Sequence, residues 1–300
     1  MSNPIRPGQV FVDDRGEVAQ LHGCAPLRVG ERWYAWGEDK ANGALFTAVA
    51  CYSSADLGQW RFEGNSLAAQ DHPDLRADRI IERPKVLRRP DGTWVMFLHV
   101  ESDDYGYARV GYAVADNPVG PYRYVGSERP LGNISRDIGV YQEDGVAYLL
   151  SEDRENGLHI YRLRDDYLGV QEVVVTLRQA ARPEIGYESP AVVRHGGLYY
   201  LFGSDLTGWS TNDNKVSTAE RLEGPWGEWA DIAPPGSATF DSQVSAVVPL
   251  GGDQFLYVGD RWLKDDLANS PAVWLPMRIA DGAVHMDWRD EWAAPSGSEG

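Results

Sequence analysis

The chain has 300 residues, 43% of them hydrophobic, and a formal net charge of −17 at pH 7. Nucleic acids and anionic membrane surfaces require a basic face on their partner, so this charge excludes both as partners. The composition supplies enough apolar and aromatic residues for one large all-β domain, and no stretch approaches the roughly 18 apolar residues of a membrane helix.

The two ends of the chain and its cysteines restrict the class of protein. The first residues, MSNPIRPGQVFVDD, lack the basic start and apolar core of a secretory signal, which predicts a cytoplasmic protein. We expect one domain over residues 1–294 and a flexible tail over residues 295–300, whose sequence PSGSEG has nothing to bury. Cys24 and Cys51 are too few for a disulfide framework or a zinc site, so we expect buried thiols.

Along the chain, the predicted elements form five similar units. A short strand and turn over residues 9–22 come first, and we expect them to help close a ring. Each unit has an apolar strand, a turn with a glycine, an aromatic strand and an outer strand that ends in a polar turn. The turn glycines lie 52 to 62 residues apart and are Gly30, Gly92, Gly145, Gly197 and Gly252. A period of about 50 residues with this content predicts an all-β fold, a five-bladed β-propeller.

One polar side chain precedes each turn glycine by eight to ten residues. In order, these side chains are His22, Glu82, Asp137, Glu188 and Gln243. They would begin the innermost strands and converge on the propeller axis, where such a fold keeps its pocket. Carboxylates confined in one pocket raise each other's pKa, and a carboxylic acid protonated near neutral pH is what cleavage of a glycosidic bond requires.

Aromatic residues near the same strand ends suit a sugar ligand. Trp209, Trp262 and Trp274 are candidates to pack against the apolar face of a pyranose. A metal site would need a second His or Cys near His22, so we predict no metal and no cofactor, and a structural cation on the axis is left open without being predicted. The expected partner is an oligosaccharide or polysaccharide substrate.

A series of motifs resembles glycoside hydrolase family 43, and most closely its exo-β-1,3-galactanase branch. The motifs follow in the order HGCAPLRVGERWYAWGE, ERPKV, YGYARVGYAVADNPVGPY, SRDIGVYQEDGVAYLL, YESPAVV, TGW, TFDSQ, and DRW with VWLP. They extend roughly from His22 to Trp292. The resemblance implies a five-bladed propeller that inverts the anomeric centre and releases galactose from the non-reducing end of β-1,3-linked chains.

The resemblance also implies roles for single residues. Glu188 matches the general acid, Asp137 the acid that tunes and orients it, and Glu82 a carboxylate that contacts the sugar. Gln243 falls where the branch has a glutamine near the attacking water. Sugar-contacting positions of the branch match Glu38, Tyr105 and Thr207. The candidate substrate-binding residues are completed by His22, Trp209 and Trp262.

The chain departs from these relatives at several positions, and it has neither a visible secretory signal nor a carbohydrate-binding module. Blade one begins His22-Gly23-Cys24-Ala25 and has no aspartate to act as general base, an absence that the galactanase branch shares. The branch usually has several glycines after the histidine, and Glu-Ala-Pro-Ala where this chain has Glu-Ser-Pro-Ala. Many relatives also carry a secretory signal and a carbohydrate-binding module. We therefore expect short, imported β-galactosides as substrates.

Three functions remain open from the sequence. The favoured one is an inverting exo-β-1,3-galactosidase, followed by a β-xylosidase or α-L-arabinofuranosidase of the same fold. The third is a catalytically silent sugar-binding propeller, which the three acids oppose because burying them costs free energy.

The handling of the attacking water is also open. Gln243 could orient the water through its carbonyl oxygen or pass the proton on through an imidic acid form. Alternatively, Glu82 accepts the proton, or Gln243 only binds a sugar hydroxyl.

Overall fold

The computed structural model describes residues 2–179, 182 and 186–295. It contains five four-stranded antiparallel sheets, each built from consecutive strands and arranged as the blades of a five-bladed β-propeller. The predicted fold is confirmed.

The strands follow the chain blade by blade. Blade one contains β1 (Leu27–Val29), β2 (Arg32–Glu38), β3 (Ala48–Ser54) and β4 (Arg61–Ala68). Blade two contains β5 (Ile80–Arg88), β6 (Trp94–Glu101), β7 (Arg109–Ala115) and β8 (Arg123–Glu128). Blade three contains β9 (Ile138–Glu143), β10 (Val146–Asp153), β11 (Gly157–Leu163) and β12 (Val170–Leu177). Blade four contains β13 (Glu188–His195), β14 (Leu198–Ser204), β15 (Lys215–Ala219) and β16 (Ala230–Asp231). Blade five contains β17 (Gln243–Gly251), β18 (Gln254–Asp260), β19 (Ala272–Ala280) and β20 (Ala283–Met286).

A glycine turn joins the first two strands of every blade. The five turn glycines identified from the sequence all have positive φ, between +56° and +94°. This left-handed region is open to glycine and costly for residues with a Cβ, so the glycines allow tight hairpins. Each hairpin brings the end of the second strand back beside the start of the inner strand.

The N-terminal segment connects the last blade to the first. Gln9 forms an antiparallel bridge with Ala272 of β19, and Asp13 forms a parallel bridge with Trp60, directly before β4. The expected closing role of residues 9–22 agrees with these contacts.

Large aromatic side chains fill the space between neighbouring blades. Trp274 is fully buried, with 5.7 Å between its ring centroid and that of Trp60 and 4.9 Å to that of Phe11. The prediction that Trp274 packs against a sugar is therefore wrong, because β19 is the third strand of blade five and faces the core. Cys24 and Cys51 are buried free thiols, as predicted.

Two further expectations concern the surface of the molecule. Among the described residues, no helix has the length and apolar character needed to cross a bilayer. The predicted flexible tail lies outside the described residues, except for Pro295.

Candidate active site

Four of the five polar residues predicted to converge do line one cavity. Glu188 and Gln243 are the first residues of β13 and β17, Asp137 directly precedes β9, and Glu82 is the third residue of β5. The cavity has a volume of about 240 Å³. The sequence period therefore located the cavity.

His22 departs from this pattern. The inner strand of blade one starts only at Leu27, and His22 instead pairs with Glu38 through an isolated bridge. Its side chain is buried beside Trp262, with 5.9 Å between the ring centroids, and does not line the cavity. Burial lowers the pKa of His22 to about 4, so the imidazole is neutral. The structure thus places His22 outside the lining of the cavity, next to the lining residue Glu38.

Thr207 also lies outside the lining of the cavity. Its hydroxyl donates a hydrogen bond to the carbonyl oxygen of Ser210 and accepts one from Asn212 Nδ2 at 2.8 Å. These bonds shape the loop and engage the hydroxyl group. The loop contributes Gly208 and Trp209 to the cavity instead, and the indole of Trp209 is nearly half exposed at the rim.

The other predicted sugar-contacting residues line the cavity. The hydroxyl of Tyr105 donates a hydrogen bond to Glu82 Oε1 at 3.1 Å. Glu38 forms a salt bridge of 2.7 Å with Lys40, and both side chains are buried. Although burial raises the pKa of Glu38, the Lys40 ammonium lowers it below its usual range, so Glu38 is a carboxylate.

Strained backbone follows two of the cavity carboxylates. Glu82 and Glu188 are each followed by a residue with positive φ, Arg83 at +51° and Ser189 at +54°, and then by a proline. Both pairs lie at β-bulges, where a proline costs no sheet hydrogen bond. Such a conformation costs on the order of 1–3 kcal/mol per residue and is found mainly at functional sites.

A left-handed turn precedes Gln243. The four residues Ala238–Asp241 have φ between +50° and +59°, a conformation that L-residues rarely adopt in succession. Asp213 accepts a hydrogen bond from the backbone N–H of Ala238 at 2.8 Å, and Arg261 donates to the carbonyl oxygen of Asp241 at 3.2 Å. This side-chain support holds the turn that leads into β17.

A second set of polar residues lies across from the first. The cross-strand pairs are His22 with Glu38, Glu82 with His99, Asp137 with Glu152, Glu188 with Ser204, and Gln243 with Asp260. The sequence analysis named only Glu38 from this second set. The sequence did contain a signal for this second set, because the second strand of each blade ends in a short sequence with a polar residue. These sequences are WGE, HVE, SED, FGS and VGD.

The environment of Glu188 favours its protonated form. Burial raises the pKa of Glu188 well above its usual range, and the charges of Asp137 and Glu152 raise it further. Glu188 Oε1 accepts a hydrogen bond from Gln243 Nε2 at 2.9 Å, whereas Oε2 lies 3.8 Å from Arg154. Because an amide N–H already contacts Oε1, Oε2 is the oxygen left open to carry the acidic proton when Glu188 is protonated.

The amide of Gln243 uses its full hydrogen-bonding capacity. Nε2 donates to Glu188 and to Ser204 Oγ at 3.0 Å, while Oε1 accepts from Arg83 and from Trp262 Nε1 at 3.2 Å. Arginine and tryptophan only donate, which fixes the orientation of the amide. An imidic acid form would place a proton on Oε1, opposite two donors, so the geometry opposes that route.

Arg83 forms the floor of the cavity. Its guanidinium lies 3.2 Å from Asp137 Oδ2 and 3.6 Å from Asp260 Oδ2. Two residues further along β5, Lys85 donates a hydrogen bond to the carbonyl oxygen of Gly23 and lines a second cavity of about 570 Å³. Arg83 and Lys85 therefore separate two cavities, and the one with the acids is closed at its floor.

One group among the described residues has the spacing of a metal site. The candidate ligand atoms of Glu82, His99 and Asp137 lie within 4.8 Å of one another. Two cations already contact this group, with Lys40 at 3.5 Å from Glu82 and Arg83 at 3.2 Å from Asp137. We interpret the cluster as a salt-bridge network, because these cations already neutralise both carboxylates and oppose a divalent ion.

Comparison with known proteins identifies the family. The sequence profile of glycosyl hydrolases family 43 matches residues 26–243, more than half of the chain. The chain belongs to this family. The resemblance found in the sequence motifs is thereby confirmed.

Solved structures of family 43 proteins resemble the chain over nearly its whole length. A Bifidobacterium bifidum protein, provisionally described as an exo-β-1,3-galactanase, is 50% identical, with a TM-score of 0.92, and the match covers 95% of this chain and 97% of that one. An exo-β-1,3-galactanase of Phanerochaete chrysosporium, crystallised with β-1,3-galactotriose, is 37% identical with a TM-score of 0.93. That match covers 99% of this chain and 70% of the fungal one.

A curated relative acts on a different sugar. It is a non-reducing end α-L-arabinofuranosidase of Bacteroides ovatus, 27% identical over 189 residues. The match covers 61% of this chain, and the chain spans only about a third, 34%, of the length of that relative.

Proposed function

We propose that the protein is an inverting, exo-acting glycoside hydrolase that releases galactose from the non-reducing end of β-1,3-linked galactosides. The observation that carries the proposal is the buried Glu188, whose pKa is raised well above its usual range and which is hydrogen-bonded to Gln243 in the cavity lined by Arg83. Relatives at 37% to 50% identity that are described as exo-β-1,3-galactanases support the sugar and the linkage.

In the proposed reaction, Glu188 protonates the oxygen of the leaving group. Glu188 Oε2 faces Arg154, so the leaving sugar would occupy the side of the cavity near Arg154. After transfer, Glu188 becomes a carboxylate, and the Arg154 guanidinium 3.8 Å away stabilises the new charge. Asp137 and Glu152 disfavour this charge before the reaction and so keep the acid protonated.

Inversion requires water to attack the opposite face of the sugar ring. We propose that Gln243 orients this water through its carbonyl oxygen, once the bound sugar displaces one of the two donors that now occupy it. A neutral amide is a poor base, so the proton needs a carboxylate, and Glu82 is the cavity carboxylate assigned to accept it. The closed floor favours attack at a chain end.

The α-L-arabinofuranosidase activity remains the second candidate, because the curated relative carries that activity. Arabinofuranose has a five-membered ring and galactopyranose a six-membered ring. The rates at which the enzyme hydrolyses arabinofuranosides and galactosides therefore distinguish the two proposals.

A substrate panel tests the proposal. We expect hydrolysis of β-1,3-galactotriose to galactose and galactobiose from the first time points, with aryl β-xylosides and aryl α-L-arabinofuranosides cleaved at least about tenfold more slowly in kcat/KM. Chromatography of early digests gives the product pattern. Preferred cleavage of the arabinofuranoside would contradict the proposed sugar, and early mixed oligosaccharides from longer galactans would contradict exo action.

A further inference from the structure

His99 occupies an unusual position in the wall of the cavity. It lies on β6 and is 2% exposed. Its Nδ1 faces two carboxylates, Glu82 Oε2 at 3.5 Å and Asp137 Oδ1 at 3.8 Å, without a hydrogen bond to either. Its Nε2 lies 3.2 Å from Glu101 Oε1. The imidazole is therefore surrounded by three carboxylates.

Glu101 is held as an anion. It is fully buried, and its Oε2 accepts hydrogen bonds from the backbone N–H groups of Ala108 at 2.9 Å and Ser102 at 3.3 Å. Arg136 lies 3.5 Å from its other oxygen. Although burial raises the pKa of Glu101, its hydrogen bond with His99 lowers it below the usual range. An anion at this place requires His99 Nε2 to carry a hydrogen.

The other ring nitrogen must carry a hydrogen as well. A bare lone pair on His99 Nδ1 would face the oxygens of Glu82 and Asp137 and repel both, whereas an N–H group attracts both. Burial lowers the pKa of His99, but the bond to Glu101 and the charges of Glu82 and Asp137 raise it to a value above the usual range.

Each of the two cavity carboxylates turns one oxygen toward hydrogen-bond donors or cations other than His99. Glu82 Oε1 faces Tyr105 and Lys40, and Asp137 Oδ2 faces Arg83. The oxygens that remain are the ones that face His99.

We propose that His99 is a positioning residue whose imidazolium bridges Glu82 and Asp137, with Glu101 fixing its charge from behind. The proposal deepens the proposed function, because it assigns to His99 the charge balance of that same site. With the imidazolium between them, the two carboxyl groups can lie side by side, and Asp137 keeps the negative charge that raises the pKa of Glu188. When His99 loses its proton at alkaline pH, the two carboxylates repel each other and their arrangement is lost.

The proton can be observed without any substrate. The chain has six histidines, and the NMR signal of His99 can be assigned by its loss in His99→Gln. We expect His99 to titrate above the ordinary pKa of about 6.5 in the free protein. Glu101→Gln should lower this value by at least about one unit, because the isosteric amide keeps the shape and removes the charge. Titration of wild-type His99 at or below 6.5 would overturn the proposal.

A matched control exists in blade three. His159 and Asp153 form a similar pair, 3.2 Å apart, on β11 and β10, and neither residue lines the cavity. Asp153→Asn should leave both the His99 titration and the activity profile unchanged. An equal shift in both variants would show a general loss of structure and would contradict the proposal.

Kinetic measurements distinguish the effect of the charge on His99 from the effect of proton donation by Glu188. A dinitrophenyl β-galactoside needs no proton from Glu188, so any alkaline loss of its hydrolysis reports another group. We expect such a loss in the wild type, moved to lower pH in Glu101→Gln, and a kcat/KM about 10- to 100-fold lower in His99→Gln. A flat alkaline profile would overturn the proposal. If no galactoside is hydrolysed at all, the proposed function fails, while the NMR titration still decides the protonation of His99.

Discussion

Replacing Glu188 with glutamine should reduce hydrolysis of β-1,3-galactobiose about a thousandfold, since general acid catalysis contributes roughly 10²- to 10⁴-fold. The reason is the poor leaving group, a sugar alkoxide that needs the proton on Glu188 Oε2. A dinitrophenyl β-galactoside leaves without a proton and should lose less than about tenfold. The measurement is kcat/KM for both substrates with the purified variant.

The pH dependence of hydrolysis provides a second test of Glu188 as the acid, with the same variant. Because the pKa of Glu188 is raised, wild-type activity on galactobiose should persist at neutral pH and fall as the pH rises through that pKa. Glu188→Gln should remove the part of this alkaline loss that is due to Glu188 and keep the part assigned to His99, which the dinitrophenyl substrate also reports. Glu220→Gln, an exposed glutamate on the same blade, serves as the control and should behave as wild type. Equal losses on both substrates would contradict the assignment of Glu188 as the acid.

Gln243→Ala should abolish most turnover, with an expected loss of about 10²- to 10³-fold in kcat, while galactobiose still binds. The alanine removes the carbonyl oxygen proposed to orient the water and leaves the carboxylates in place. Turnover and calorimetric binding are the two measurements. Gln254→Ala, an exposed glutamine on the next strand, is the control. If binding falls in step with turnover, Gln243 is a sugar ligand and its proposed role with water is wrong.

Gln243→Glu tests the route of the proton. A carboxylate at this position can accept a proton directly, so a variant faster than the wild type with a new acidic limb would show that the amide had stood in for a base. Glu82 would then be a binding residue. An inactive Gln243→Glu variant would support Glu82 as the proton acceptor, since a second carboxylate beside Glu188 adds repulsion without a function.

The sequence predicted the fold because one signal was repeated five times. The turn glycines need positive φ, and that local requirement marks the hairpin of each blade independently of the rest of the chain. The same spacing located Glu82, Asp137, Glu188 and Gln243, since each stands near the start of an inner strand.

The residues that the sequence misplaced depend on tertiary contacts. His22 has the expected spacing, but the inner strand of blade one is shortened to three residues, and the side chain is buried. Trp274 lies near a strand end in sequence, yet its side chain is fully buried against Trp60. Thr207 lies in the correct loop, and only the hydrogen bonds of that loop show that Trp209 faces the cavity instead.

The charged network of Arg83, His99 and Glu152 in the cavity wall could not be predicted from single positions. Arg83, His99 and Glu152 act through distances to residues on neighbouring blades, and a charge on a strand end is usually exposed to solvent. Their position at or near the end of a second strand, or directly after an inner carboxylate, becomes informative only when the five hairpins are superposed.

The configuration of the first galactose released tests the central claim most directly. Proton NMR during the first minutes of β-1,3-galactobiose hydrolysis should show α-galactose, which then mutarotates to the equilibrium mixture. This result is expected if Glu188 donates the proton and water held by Gln243 attacks from the opposite face. Initial release of β-galactose would require a covalent intermediate on the enzyme and would contradict the account.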